Sequence, residues 1–371
     1  MKDKVGLITI HHVPNFGSVL QTYATQEVIR KLGYDCVVLQ YKYPNEWHYA
    51  QGRLRPSLKS RVGHLLGLRP GHKKAKKIEI FRKKFLNFSR LYANLDAMKA
   101  EDWSGYHAIV VGSDQVWNTR FTLADSAFML SFLPKEVHRL SIASSFASKS
   151  LPVELRDKYR KYLSRFNALS VREQNGVEII KSELGIDCEP TIILDPTLLL
   201  SREEWLSLIP RSRFEKKKKY ILLYMLVYAF EPRPYIFDVL KHMSEKYDYE
   251  ILALEGYTPS DLANGVVMQD KTDSGISEFI DLFANADMVV TSSFHGTAFA
   301  ANFGIPLVSI IPNDKGDDRQ TSLLRQLGLE QCIVPIGTTS DSINPNYDMA
   351  KANSRLSQIR DNCLKWIDDN L

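Results

Sequence analysis

Apolar residues in this chain come in short, nearly unbroken runs. Between the runs lie stretches whose apolar positions recur at helical spacing. KVGLITI, CVVLQY, AIVVGS, RLSIASSF and ALSVRE fall in the first half, and IILDP closes it. YILLYML, YEILALE, DMVVTSS and PLVSIIP fall in the second. Runs of this kind are strands buried on both faces. Between them, Ser18–Lys31 carries Leu20, Tyr23, Ala24 and Val28 on one side and stops at Gly33, as an amphipathic helix does. Helices are also predicted over Pro152–Phe166, Pro232–Lys246, Ile276–Ala286 and Gln320–Leu327. Strand alternating with helix means βαβ units and a parallel sheet. The pattern occurs twice, so the expected α/β architecture is two Rossmann-like, doubly wound domains facing a cleft.

At 371 residues the chain exceeds what one core fills, which also favours two domains. The charged, proline-containing stretch SREEWLSLIPRSRFEKKKKY separates the two sets of strands. It predicts a first domain over 1–200, a second over 201–346, and a helix over 347–371 that packs back on the first. Composition changes this picture little: 44% hydrophobic and 25% charged residues describe an ordinary soluble protein. No apolar stretch is long enough to span a membrane, and the N-terminus has no signal-peptide h-region. Cys36, Cys188, Cys332 and Cys363 are scattered, without CxxC or His/Cys spacing. They read as reduced thiols of a cytoplasmic protein, and no metal site is expected.

Charge is more informative. The net value of +5 hides a basic segment, Arg53 to Arg90, with thirteen Lys or Arg and one acid, Glu79. That segment carries +12 and leaves about −7 on the remainder. A phosphate-rich partner such as an anionic lipid or a diphosphate-linked substrate would suit it; a solvated helix and loop is the plainer alternative. Within it, Ile78, Phe81, Phe85 and Phe88 stand at helical spacing beneath basic faces. That composition fits a helix lying at a membrane surface or a core-packed helix equally. A nucleic-acid partner would rest on this segment alone, without a recognition motif, and none is expected.

In open α/β sheets ligands bind beyond the carboxyl ends of the strands, so the residues there matter most. After the first strand, HHVPNFGSVLQ offers Asn15 and Gly17 for a tight turn and Ser18 as a helix cap. This is either a capped turn or an anion site at a helix N-terminus. After the third strand, GSDQVWN gathers Ser113, Asp114, Gln115 and Asn118 around Val116 and Trp117. Such polar groups beside an aromatic suit a sugar; the alternative is a turn followed by a helix start. Ser144, Ser145 and Phe146 could line the same cleft, and Arg172 ends another strand as an anion ligand or a partner to Glu173. The stretch TSSFHGTAFAANFGIP, residues 291–306, reads as strand, loop, short helix and stop. Gly296 would let backbone approach a ligand, Thr297 would cap the helix, and Ser292 and Ser293 supply hydroxyls. His295, beside that anion site, is the candidate general acid or base. Lys315, Arg319 and Arg325 follow the next strand and could reach the same cleft.

The loop–helix–GIP–strand arrangement resembles the donor half of GT-B glycosyltransferases. The chain resembles the polysaccharide pyruvyl transferase family still more closely. The resemblance rests on Asn15-Phe16-Gly17, GSDQVWN at 112–118, IASSF at 142–146, SVRE at 170–173, LDPTLLL at 194–200, SSFHGTAFA at 292–300, GIP at 304–306, and Arg319 with the leucines that follow it. It implies a GT-B-like pair of domains that moves a pyruvyl group from phosphoenolpyruvate onto a sugar. The sugar would belong to a bacterial capsular, exopolysaccharide or cell-wall precursor, and the product would be a cyclic ketal. It implies His295 as acid/base, with Ser292, Ser293, Gly296, Thr297, Arg319, Lys315 and Arg172 on the donor. Asn15, Gly17, Ser18, Ser113, Asp114, Gln115 and Asn118 would face the acceptor. Phosphoenolpyruvate is then a co-substrate, and neither cofactor nor metal is required. A polyprenyl-diphosphate-linked acceptor at the inner membrane face would give residues 53–90 a docking role. One departure stands out: several family members carry an arginine two residues before the motif histidine, where this chain has Ser293. The competing readings are a GT-B glycosyltransferase using a nucleotide sugar, and a non-catalytic glycan-assembly subunit.

Overall fold

The computed structural model describes residues 2–44, 72–209, 218–255, 265–314 and 316–371. Lys315 and residues 53–71 of the basic segment lie outside the described residues. In the first unit β1 (Lys4–Ile8), β2 (Asp35–Tyr41), β3 (Phe88–Tyr92), β4 (Ala108–Val111) and β5 (His138–Ser141) form a sheet in the order β3-β2-β1-β4-β5, every pair parallel. β6 (Ser170–Val171) and β7 (Thr191–Ile192) pair with each other and continue that sheet through parallel bridges Leu140–Ala168 and Ser144–Val171. In the second unit β8 (Tyr220–Tyr224), β9 (Glu250–Glu255), β10 (Gln269–Asp270), β11 (Met288–Thr291), β12 (Leu307–Ile311) and β13 (Ile333–Pro335) run parallel in the order β10-β9-β8-β11-β12-β13. Counted from its own first strand, this is the 3-2-1-4-5-6 order of a doubly wound dinucleotide-binding fold.

The apolar runs explain the layering. β4 (AIVV), β8 (YILLY) and β11 (MVVT) are buried along their whole length, so helices must cover both faces. The winding reverses between β1 and β4, and again between β8 and β11. At such switch points the loops leaving the strands part and open a crevice. Residues 9–15 and 112–118 from one unit and 225–229 and 292–293 from the other leave the sheets at these points.

An apolar seam holds the units together. The Phe16 ring lies 4.7 Å from Phe279 and 6.1 Å from Tyr224, across the boundary between the units. The helix His72–Phe85 adds to this seam. Its Ile78 and Phe81 are buried in the core shared by both units, while Phe88 belongs to β3 rather than to the helix. Three of its lysines cross to the second unit: Lys73 to Asp273 at 3.2 Å, Lys74 to Glu255 at 2.7 Å and Lys77 to Glu278 at 2.5 Å. Of the two readings of this amphipathic stripe, the core-packed one describes the helix. Its apolar face is occupied, and part of its positive charge is neutralised by the neighbouring unit. Among the described residues no helix is long and apolar enough to cross a membrane.

The C-terminal helix, Met349–Asn370, rests on both units and on the segment between them. Arg360 donates to the Leu198 carbonyl at 2.7 Å and to Asn302 Oδ1 at 3.0 Å. Asn302, in the helix Phe294–Phe303, donates to the carbonyls of Thr197 and Leu200. His138, on β5, meets the Asn370 carbonyl at 2.7 Å.

The packing of the His72–Phe85 helix is open to test. Phe81→Ala should lower stability by about 3–5 kcal/mol, as truncation of a buried aromatic does. Ile80→Ser, at a position 56% exposed, should change it by no more than about 0.5 kcal/mol. Urea denaturation of both variants checks this. Equal midpoints would mean that Phe81 is not in the core.

Candidate active site

Two adjoining chambers occupy the crevice. The inner one has a volume of about 160 Å³ and is lined by Asn15, Ser18, Asp114 and Gln115 from the first unit and Tyr228, Glu255 and His295 from the second. The outer one, about 460 Å³, is lined by Gln115, Asn118, Arg120 and Lys149 on one side and Ser292, Ser293, Phe294, Asp317, Arg319 and Gln320 on the other. Gln115, Phe121, Leu226 and Tyr228 belong to both and form the neck. Among described residues the inner lining carries two carboxylates, Asp114 and Glu255, and no Lys or Arg, whereas the outer lining sets Arg120, Lys149 and Arg319 beside Asp314 and Asp317.

His295 sits where the units meet. Its ring is only 6% exposed. A Cβ on Gly17, in the helix Phe16–Lys31, would stand 2.1 Å from its Nδ1. Gly17 therefore matters for the contact that its missing side chain permits, and not for a turn. His295 Nε2 lies 3.8 Å from Asp195 Oδ2 and has no hydrogen-bond partner among the described residues. Burial pulls its pKa below the ordinary value; Asp195 and Asp114 push it up, and Arg172 and Arg319 push it down again. The ring is consequently neutral near pH 7, which makes it a ready proton acceptor.

Asp195, at the end of the first unit's strands, organises the buried side of the site. Its Oδ2 accepts from Arg172 at 2.8 Å and from the Ser113 hydroxyl at 2.7 Å. Its Oδ1 accepts from the Thr197 amide and hydroxyl. Burial alone would raise its pKa, but His295, Arg172 and the two hydroxyls outweigh burial and hold it below the usual carboxylate range. Arg172 also stacks on Phe294, with its guanidinium carbon 4.4 Å from the ring centroid. The Arg319 guanidinium lies 6.0 Å from the same ring and binds the Asp317 carboxylate with two nitrogens. Phe294 is thus flanked by one arginine from each unit.

Glu173 is fully buried. Its Oε1 accepts from the Ser145 hydroxyl and the Phe146 and Ala147 amides. Burial pushes its pKa up to about 7, against the pull of Arg172 and Arg319. It shapes the 145–147 loop that leads into the outer chamber.

Several expectations from the sequence are corrected. The helix begins at Phe294, one turn earlier than expected, and its cap is Ser293, whose hydroxyl accepts from the Gly296 amide at 3.4 Å. Thr297 is no cap; its buried hydroxyl bonds Ser309 at 2.8 Å. Gly296 faces protein and not a ligand, since a Cβ there would stand 2.2 Å from Thr291 Oγ1. Ser292 clips the exit of β8 by bonding the Leu226 amide and carbonyl. Asn15, not Ser18, caps the first helix, and Ser18 donates to Asp114 at 2.7 Å. Asn118 caps a short helical turn at Arg120. Trp117 is buried and donates to the Phe128 carbonyl, so it offers no ring face to a sugar. Ser113, Ser144, Ser145, Phe146 and Arg172 are buried behind the chambers. Sequence reasoning missed the site roles of Asp195, Tyr228, Glu255, Asp317 and Gln320. Asp195 had a signal, an acid at a strand end before proline, within the LDPTLLL stretch that entered only as part of the family resemblance.

Among the described residues no group of three or more His, Cys, Asp or Glu side chains could hold a metal ion. A family model described as polysaccharide pyruvyl transferase matches residues 15–314. No curated protein matches the chain. Among solved structures, UDP-GlcNAc 2-epimerase from Neisseria meningitidis bound to UDP-GlcNAc is similar at a TM-score of 0.56 and 11% identity, over 98% of this chain and 100% of that one. UDP-GlcNAc 2-epimerase from Methanocaldococcus jannaschii is similar at 0.53 and 12%, over 96% and 99%. A putative UDP-N-acetylglucosamine 2-epimerase from Listeria monocytogenes follows at 0.52 and 11%, over 98% and 91%. At such identities the likeness concerns the fold alone, and it agrees with two Rossmann-like domains facing a cleft in the GT-B-like manner.

Two measurements test this geometry. Gly17→Ala would favour the helix by up to about 1 kcal/mol through propensity, yet its methyl collides with His295. The expected result is displaced ring resonances of His295 by NMR and loss of activity; an unshifted ring would rule the contact out. The second concerns Glu173. Its folded pKa, about 7, exceeds the ordinary carboxyl value of 4.5. Its contribution to stability is therefore full below pH 4.5 and is lost as pH rises through 7. Glu173→Gln should abolish that loss, so the variant gains on wild type across this window in unfolding experiments. Parallel pH profiles would contradict the shift.

Proposed function

The chain belongs to the polysaccharide pyruvyl transferase family, and from that premise we propose that it transfers the pyruvyl group of phosphoenolpyruvate to a saccharide acceptor as a ketal. The acceptor belongs to a capsular, exopolysaccharide or cell-wall glycan precursor, and phosphoenolpyruvate is a co-substrate with no bound cofactor. One observation carries the reading best. Residues 292–294 line the outer, arginine-bearing chamber, and His295, the next residue, lines the inner, carboxylate-bearing one. An anionic donor is favoured where Arg319, Arg120 and Lys149 stand, and hydroxyls are favoured beside Asp114 and Glu255.

The chemistry then divides between the chambers. The imidazolium form of His295, stabilised by Asp195, gives its proton to C3, which becomes the methyl group as the C2–C3 π bond breaks and C2 becomes cationic. The first sugar hydroxyl then bonds to C2, and the neutral His295 ring takes up its proton. The second hydroxyl oxygen bonds to C2 as the bond from C2 to the phosphate oxygen breaks, and its proton leaves with the phosphate. Arg319, with Arg172 acting from behind Phe294, offsets the charge of the donor carboxylate and phosphate. Ser293 takes no charge-bearing part. It caps the helix, and the two guanidiniums flanking Phe294 provide the positive charge that an arginine at 293 would have supplied.

The test is acceptor-dependent phosphate release from phosphoenolpyruvate with galactose- or mannosamine-type saccharides, free and lipid-linked. His295→Ala should reduce turnover by roughly 10²–10⁴-fold, the usual share of a general acid–base. Arg319→Lys should raise the KM for phosphoenolpyruvate by roughly ten- to a hundredfold, the size of one lost charge-assisted hydrogen bond. Solved structures similar to this chain hold UDP-GlcNAc or UDP, so UDP is the control ligand. Tight UDP binding without phosphoenolpyruvate binding, and no phosphate release from folded protein, would favour a nucleotide-sugar enzyme instead.

A further inference from the structure

The inner chamber holds a charged pair to which the pyruvyl transfer assigns no bond-making or proton-transfer step. Glu255 ends β9 and lines the chamber. Its Oε1 receives the Lys74 ammonium at 2.7 Å, while its Oε2 is buried without a hydrogen-bond partner among the described residues. Lys74 is 6% exposed and sits 4.4 Å from the centroid of the Phe16 ring. It reaches this place because the His72–Phe85 helix crosses the seam between the units. A lysine from the basic segment is thus buried as the counter-ion of a carboxylate that faces the cleft.

Leaving a buried acceptor unpaired costs about 1–3 kcal/mol, more where it is charged, so Oε2 keeps acceptor capacity in a side chain that lines the cavity. His295 Nε2 is a second buried atom without a hydrogen-bond partner among the described residues, in a side chain that lines the same chamber. Asp114, the other carboxylate of the lining, is already engaged. Its Oδ2 accepts from Ser18 and its Oδ1 from the Gln115 amide. Glu255 Oε2 therefore has the acceptor capacity that Asp114 lacks. The space, about 160 Å³, is roughly ten times the ~15 Å³ that one water needs. An anion entering it would meet two carboxylates and no lining cation; a neutral polyol would meet acceptors for its hydroxyl hydrogens.

We infer that the Lys74–Glu255 pair is the hydroxyl anchor of the inner chamber, holding a neutral sugar through the Glu255 carboxylate and so selecting which sugar presents its hydroxyls to His295. Lys74 holds the carboxylate in place, and Glu255 makes the contact. The inference rests on the pyruvyl-transfer reading only for the fate of that sugar, not for its binding.

Binding can accordingly be measured without turnover. Saturation-transfer NMR of the full chain with methyl β-D-galactopyranoside, methyl α-D-mannopyranoside and N-acetylmannosamine should show contact with at least one probe. Glu255→Ala should weaken that saccharide about tenfold or more and leave phosphoenolpyruvate affinity within about twofold. Lys74→Met should weaken the same saccharide, because the carboxylate loses its fixed partner. Glu255→Gln preserves volume and serves if the alanine variant does not fold; it should still lose affinity for the saccharide more than for phosphoenolpyruvate. Unchanged saccharide affinity in folded Glu255 variants would overturn the anchor, as would equal loss of both ligands, or no contact between wild type and any of the three probes. If phosphate release fails while saccharide binding still depends on Glu255, the pyruvyl reading falls and the anchor stands. If release proceeds normally without the Glu255 carboxylate, the anchor falls and the pyruvyl reading stands.

Discussion

The buried carboxylate of Asp195 is the interaction on which the site depends. It has almost no exposure, so its charge must be matched within the protein. Arg172 does most of this, and the hydroxyls of Ser113 and Thr197 take up its remaining lone pairs. Through these contacts one residue ties the β4 exit, the β6 exit and the connection to the second unit into a single rigid block. His295 is placed against that block by the second unit, so the catalytic candidate belongs to the interface and to neither half alone.

This placement has an electrostatic consequence. His295 is buried between two carboxylates and two arginines, and burial prevails. The neutral ring keeps its proton-accepting capacity near pH 7, and Asp195 stands by to stabilise the cation once it forms. Arg172 and Arg319 are each held by an acid, Asp195 and Asp317, and both approach Phe294. Positive charge is thus oriented in advance, which lowers the reorganisation needed when an anion binds.

The parallel sheets, their double winding and the stretch around His295 were legible along the chain. Unbroken apolar runs allow little but strands buried on both faces. Cap chemistry was harder. Thr297 and Ser293 are both hydroxyl residues near a helix start, and only the backbone path shows that Ser293 accepts the amide while Thr297 turns inward to Ser309. Trp117 looked like a sugar platform from its polar neighbours, yet apolar packing draws it into the core. The stripe of the His72–Phe85 helix fitted membrane and core equally, because periodicity shows that a face is apolar without showing what covers it.

By itself the sequence determined the strand runs, their alternation with helices, the doubled architecture, and the polar clusters at the strand ends. Those depend on local spacing, which one chain carries in full. Only the tertiary structure decided that Gly17 makes room for His295, that Asp195 joins Glu173 in holding Arg172, and that Lys74 leaves the basic segment to meet Glu255. These are contacts between residues remote in sequence. Their energies come from burial and charge compensation across the seam, and no local pattern records which partner a buried charge will find.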